Sequence, residues 1–257
     1  MKAAVDPFHW PQFIDSNADF ANNTIQEALD RESHSDKNAA HDIQRYMVMR
    51  RETIGTRPCF VLMRSTRRLY IPDDVLANPT IKEMENVALD MVFIANVRKA
   101  FQLYHLEIEI TLCFIQDVYS FKKEHGDNGA LNNILTIMQK DPTTEHMDLQ
   151  ERLDYTKRMF TAALDRFNAC REKVPSIDED MDKHIASYAD GLIDWVVGNI
   201  QWSVLNHRYN TFLNDEDRRN NIMRIAQDSP RRILQRILSI FSIAVIISLI
   251  YFLLLLY

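Results

Sequence analysis

Apolar residues recur at three- and four-residue intervals along most of this chain, the spacing of one buried helix face. Phe13 to Arg31 reads as a helix with an acidic, polar outer face, and the polar stretch Glu32 to Ala40 links it to a second helix. That helix begins near His41, carries Arg45, Arg50 and Arg51, and breaks at Gly55. An apolar run from Cys59 to Met63 follows, then the basic string Arg64, Arg67, Arg68. Ile71-Pro72-Asp73-Asp74 starts another helix, with proline suited to its first turn and the acids to its positive end. Asn78-Pro79-Thr80 restarts the chain into a buried helix, Ile81 to Asn96. Ala130 to Gln139, Thr144 to Lys173 and Asp178 to Leu205 predict three more. No segment alternates like a strand between hairpin turns, and no repeat recurs, so the pattern predicts an all-α fold.

The last segment differs in kind. Ile237 to Tyr257 is uncharged and almost wholly apolar, about the length of one bilayer crossing. Arg231, Arg232 and Arg236 precede it in a basic linker, 216–236, a flank that belongs on the cytosolic side. These features predict a cytosolic domain tail-anchored to an intracellular membrane; a buried core helix is the plainer reading of the same residues.

Composition narrows the rest. A chain of 257 residues with only 5 Gly holds one sizeable helical domain and little more. A net charge of -6 argues against a nucleic-acid partner. Cys59, Cys113 and Cys170 are scattered, without a CxxC pair, as expected of a reducing intracellular compartment. The opening MKAAVDPFHW has no apolar run of the signal-peptide kind.

Chemistry concentrates in Gln116-Asp117-Val118-Tyr119-Ser120-Phe121-Lys122-Lys123-Glu124. Residues four apart share a helix face, so Gln116, Ser120 and Glu124 stack as three oxygen donors, the ligand type Mg2+ prefers. Lys123 lies beside them, where it could meet a phosphate. On their own, such residues more often mark a solvated helix face.

This segment resembles the second metal-binding motif of class I terpene synthases, Asn-Asp-x-x-Ser-x-x-x-Glu. Asp117, Ser120 and Glu124 fit, and Gln116 stands where the motif has its metal-binding asparagine. Joining Asn96 directly to Asp117 gives Phe-Ile-Ala-Asn-Asp-Val-Tyr-Ser-Phe-Lys-Lys-Glu, which matches completely, so the twenty residues Val97 to Gln116 read as an insertion. Every Val codon begins GT and every Arg codon has a central G. Val97-Arg98 is therefore encoded as GTNNGN, a usual fungal intron start, and Gln116 can be CAG, a usual intron end. A retained, in-frame intron explains the insert. Continued as helix, it would leave Asn96 about 200° out of phase with Ser120.

Two further segments are similar to the same family. Arg45-Tyr46-Met47-Val48-Met49-Arg50-Arg51-Glu52-Thr53-Ile54-Gly55 resembles its Arg-Arg-x-Thr-x-Gly stretch, which implies Arg50, with Arg51 as second choice, as the sensor of the substrate diphosphate. Trp202-Ser203 to Arg208-Tyr209 resembles its Trp-Ser-x-x-x-x-Arg-Tyr ending, which implies a diphosphate clamp at Arg208 and Tyr209. Pro72-Asp73-Asp74-Val75 and Gly191-Leu192-Ile193-Asp194-Trp195 are close to family segments as well.

The resemblance, to fungal sesquiterpene synthases of the basidiomycete type, covers Phe13 to Tyr209 without the insert. It implies a terpene synthase domain over 1–215, a helical barrel that ionises and cyclises farnesyl diphosphate with Mg2+. Asn96, Ser120 and Glu124 would hold metal, with Gln116 as a possible substitute for Asn96. Arg50, Arg51, Lys123, Arg208 and Tyr209 would hold diphosphate. Val92, Phe93 and Trp202 are candidates for the cavity wall, though core packing accounts for each as well. The family's aspartate-rich motif has no counterpart before Arg45: Asp15 and Asp19 have the wrong spacing, and Asp73-Asp74 the wrong place in the order. The expectation is an N-terminally truncated barrel. A tail-anchored, inactive relative used for binding is the alternative, and translation past the true stop is another account of the tail.

Overall fold

A computed structural model describes residues 5–33, 42–94, 133–205 and 216. All belong to the first of two units into which the chain divides, Met1–Ile222 and Met223–Tyr257. Among the described residues every regular element is helical. A 3-10 turn, Pro7–His9, leads into α1 (Trp10–Ser33), and α2 (Ile43–Thr53), α3 (Arg57–Arg67), α4 (Asp73–Leu76) and α5 (Pro79–Ile94) follow. After these come α6 (Ile134–Met138), α7 (Leu149–Lys173) and α8 (Glu179–Leu205).

Helix α5 is the axis of the core. From Val87 to Ile94 every residue is buried, as expected of a helix apolar on nearly every face. It packs chiefly on α7, then on α8 and α2, while α1 lies across α2 and α3. Phe160 and Phe167 of α7 and Tyr188 and Leu192 of α8 are fully or almost fully buried in this core.

Helix ends follow local chemistry more closely than apolar spacing did. The first helix begins earlier than its periodicity predicts, because Asp6 accepts from Phe8 N–H at 2.9 Å and caps the turn that precedes it. The helix expected from Thr144 starts only at Leu149. Residues 141–146 are turns, and the capping box of Asp148 and Glu151 sets the start. Pro72 is the cap before α4 rather than a residue of its first turn, and that helix is a single turn. The expected break at Gly55 is present: α2 ends at Thr53, and Gly55 takes a left-handed φ of 73°.

Among the described residues no helix is long and apolar enough to cross a membrane. The apolar tail 237–257, residues 217–236 of its basic linker and the stretch 97–116, expected to be an insertion, lie outside the described residues.

Candidate functional site

The break between α2 and α3 is the part of the expected site that can be traced atom by atom. Arg50 and Arg51 occupy the last turn of α2, and Ile54 N–H donates to the Arg50 carbonyl at 3.0 Å to close it. Gly55 then reverses the chain, and Arg57-Pro58 opens α3, with proline in the first turn where its missing N–H does no harm. The Cys59 thiol donates back to the Gly55 carbonyl at 3.6 Å. Burial pushes that thiol above its usual range, so it stays protonated.

The two arginines differ in what they face. Arg51 donates from Nε and Nη2 to the two carboxylate oxygens of Asp90, at 2.6 and 2.8 Å. Asp90 is 0% exposed on α5. Its hydrogen bonds push the Arg51 guanidinium up from its usual value. Burial pushes the Asp90 carboxyl up against the opposing pull of Arg51. Arg50 is half-buried on the same turn. The pattern foretold both arginines but not their partner. Its signal was there, a lone carboxylate in the apolar run from Val87 to Ile94.

A second polar contact brings in α8. Asn199 Nδ2 donates to the Val92 carbonyl at 3.2 Å, in the last turns of α5. Between α3 and α8 runs an open, mostly apolar groove of about 570 Å³. Cys59, Leu62 and Met63 form one side, Trp195, Gly198 and Trp202 the other. The helices run antiparallel here: Arg67 pairs with Asp194 at 2.5 Å and reaches the Ser187 carbonyl at 3.2 Å, while Phe60 meets Trp195 edge-on. The Cys59 end of the groove is therefore the end nearest the Gly55 break and the last turns of α8. Trp202, 49% exposed, lines it. Val92 and Phe93 do not; both are core, and Phe93 meets Tyr46 edge-on at 6.3 Å.

Asp15, Asp19 and Asp73 border one polar cavity of about 610 Å³ together with Arg57, Arg64 and Lys82. Nearby, the fully buried Tyr188 hydroxyl donates to Glu85 and accepts from Arg64 Nη1, the latter at 2.7 Å. Burial pushes the phenol well up, so it remains neutral. Among the described residues no group of three His, Cys, Asp or Glu side chains could hold a metal ion. Asn96, Gln116, Ser120, Lys123, Glu124, Arg208 and Tyr209 lie outside the described residues.

The helical fold is one shared with terpene synthases of known structure. The chain belongs to the family described as terpene synthase family 2, C-terminal metal binding, whose model matches residues 1–166. It is 31% identical over 199 residues to a Delta(6)-protoilludene synthase of Armillaria gallica, covering 77% of this chain and 49% of that protein. It is 26% identical over 198 residues to sesquiterpene synthase 1 of Postia placenta (strain ATCC 44394 / Madison 698-R), covering 77% and 50%. The fold is shared with linalool/nerolidol synthase from Streptomyces clavuligerus in complex with 2-fluorogeranyl diphosphate. There the TM-score is 0.58 at 16% identity, covering 79% of this chain and 61% of that one. The chain spans about half the length of the curated relatives it matches.

Proposed function

We propose that this chain carries the diphosphate-sensing and hydrocarbon-binding half of a sesquiterpene synthase acting on farnesyl diphosphate. The observation that carries this reading is the tie between three helix ends. Arg51–Asp90 holds the end of α2 on α5, and Asn199–Val92 holds α8 on the end of α5. Those ends bear Arg50, precede Asn96 and precede Arg208 in sequence. The relatives named sesquiterpene synthase and Delta(6)-protoilludene synthase support the choice of chemistry, and the fluorogeranyl diphosphate held by a protein of the same fold supports the substrate class.

In this reading Arg50, the position the Arg-Arg-x-Thr-x-Gly resemblance implies, meets the diphosphate, while Arg51 holds Asp90. A guanidinium suits phosphate oxygens and keeps its charge at any working pH. Lys123, Arg208 and Tyr209 add donors around the same anion. Asn96, Ser120 and Glu124 are an amide, a hydroxyl and a carboxylate, a hard-oxygen set that fits Mg2+; Gln116 substitutes for Asn96 if the insert is kept. When bound, Mg2+ supplies charge stabilisation for the departing diphosphate. The groove between α3 and α8 offers the hydrocarbon chain an apolar wall.

The insertion 97–116 and the tail complete the proposal. A chain lacking Val97 to Gln116 joins Asn96 to Asp117 and restores the motif. The segment 237–257, with its basic flank, anchors the domain from the cytosolic side of a membrane. The deciding experiment incubates the full chain, with and without the insert, with farnesyl diphosphate and Mg2+ and follows diphosphate release. Release should require Mg2+, rise when the insert is removed and disappear in Arg50→Ala. Release that is indifferent to Mg2+ and to Arg50 would sink the reading. Carbonate extraction of membranes tests the anchor: the full chain should stay in the pellet and a chain ending at Arg236 should not.

A further inference from the structure

The peptide group between Leu69 and Tyr70, in the connection from α3 to α4, is held from both sides by histidine. His9 Nε2 lies 2.8 Å from the Leu69 carbonyl oxygen, and the Tyr70 N–H donates to His184 Nδ1 at 3.1 Å. His9 belongs to the turn before α1 and His184 to the second turn of α8, so three separated parts of the chain meet on one peptide group. The Tyr70 ring is in contact with both imidazoles, its centroid 5.7 Å from that of His9 and 6.4 Å from that of His184. Its hydroxyl donates to Asp6 at 3.1 Å.

Each contact fixes where the ring that makes it carries its proton. A carbonyl oxygen can only accept, so His9 is protonated on Nε2. His9 is 0% exposed, and its Nδ1 has no hydrogen-bond partner among the described residues. A second proton there would be stranded. A backbone N–H can only donate, so His184 Nδ1 must be bare, and a proton on that atom removes the acceptor. The released imidazolium then has Asp180 one turn before it on the same helix. Asp178, Glu179 and Asp180 border one surface hollow with His184, and Lys183 pairs with Glu179 and Asp180. Across from them the charged groups are Asp6, on the Tyr70 hydroxyl, and Arg68, close to the Tyr70 ring.

The clasped peptide follows a strained residue. Arg68 ends α3 in the left-handed region, at φ 55° and ψ 44°. Among the described residues it is the non-glycine residue with a positive φ, a conformation that costs an L-residue about 1–2 kcal/mol. Such a residue persists where its surroundings over-determine it. Leu69 N–H donates to the Arg64 carbonyl at 2.9 Å on one side of it, and the two histidines fix the next peptide.

We propose that His9 and His184 form an acid-released clasp: with both imidazoles neutral it holds the end of α3 against the start of α8, and protonation frees the Leu69–Tyr70 peptide so that the two helix ends part. These helices are the walls of the groove, so acid loosens the groove at the end away from Cys59. The inference stands on the clasp contacts and does not depend on what the groove holds.

Amide hydrogen exchange of the full chain, corrected for the intrinsic effect of pH, reads the clasp at Tyr70 N–H. Protection there should fall about tenfold or more between about pH 7.5 and about pH 5.5, a range that charges an ordinary imidazole. His184→Asn keeps an acceptor oxygen close to the place of Nδ1, and His9→Gln keeps an amide N–H close to that of Nε2. Neither amide takes up a proton in this range. The double variant should stay protected at both pH values, and His184→Asn alone, at a half-buried position, should already reduce the fall. No fall in the parent, or an undiminished fall in either variant, overturns the inference. So does a fall shared equally by the amides of Val87 to Ile94 in α5, because the whole domain would then be unfolding.

Discussion

Arg51 donates through Nε and Nη2 to both carboxylate oxygens of Asp90, and so fastens the last turn of α2 to the buried C-terminal part of α5. Arg166 also approaches Asp90, with its Nη1 at 4.0 Å, and does not replace that fork. Removing Arg51 leaves a carboxylate with no exposure, and with Arg166 at 4.0 Å as its remaining cation. Arg51→Ala should therefore lose about 3–5 kcal/mol of stability in urea unfolding, the usual consequence of breaking a buried pair from one side. Arg51→Met with Asp90→Leu should recover most of it, since two apolar side chains remove the stranded charge. A double variant as unstable as the single would show that the pair does more than satisfy its own burial.

Gly191 answers to a different force. Met63 occupies the space a β-carbon would need, and Arg67 Nη1 stands 3.3 Å from the same point. The atoms in the way are the flexible end of Met63, which borders the open groove. Gly191→Ala should therefore cost less than about 1 kcal/mol, the shift of Met63 being partly offset by alanine's better helix propensity. Met63→Ala alone should cost about 2–5 kcal/mol as a core truncation, and in that background Gly191→Ala should be stabilising. Thermal unfolding of the single and double variants measures both.

Much of this fold was legible from periodicity. The buried run Ile81 to Asn96 announced α5, and the long apolar spacings announced α7 and α8, because a helix packed on one stripe or on all faces writes its period into the chain. The ends were harder. Trp10 and Leu149 start helices for reasons held in single side chains, Asp6 and the Asp148–Glu151 pair, which apolar spacing does not register. At the site, Arg50 and Arg51 could be named from a local string of residues. Asn199 and Met63 could not, since each acts across a tertiary contact that no local pattern encodes, and the lone carboxylate of Asp90 in its apolar run gave no hint of its partner. Val92 and Phe93, open in the sequence between cavity wall and core, are core, because an apolar residue beside a motif looks the same whichever it faces.

The helix break should be sensitive to one methyl group. Gly55 takes a φ of 73°, and a Cβ on it would come within 3.3 Å of Phe20 Cε2 and Cζ. Left-handed backbone costs an L-residue about 1–2 kcal/mol. Gly55→Ala should therefore lose about that much, with more if the Phe20 ring cannot move aside. Gly55→Asn should do better than alanine on backbone grounds, because asparagine tolerates this region. Urea midpoints of the two variants, compared with the parent, check the order.

Asp141 gives the fold a defined dependence on acid. Burial acts to raise its carboxyl, yet hydrogen bonds outweigh burial: Oδ1 accepts from the Thr143 hydroxyl and N–H at 2.5 and 2.8 Å, and Oδ2 from Ile43 N–H at 3.0 Å. The net effect holds the group below its ordinary value. The unfolded chain, with an aspartate near about 3.9, then binds the proton more readily than the folded one. Stability from this group is complete above the unfolded value and is lost as the pH falls through the lower folded value. The Ile43 contact ties the first turn of α2 to the loop after α6, so acid should loosen the helix that carries Arg50 and Arg51. Asp141→Asn should be less stable than the parent by about 1–2 kcal/mol at pH 7, because the amide cannot offer two charged acceptor oxygens. That gap should narrow steadily below about pH 4. Urea unfolding of both proteins across this range isolates Asp141 from the other carboxylates, and a gap that stays constant with pH would refute the assignment.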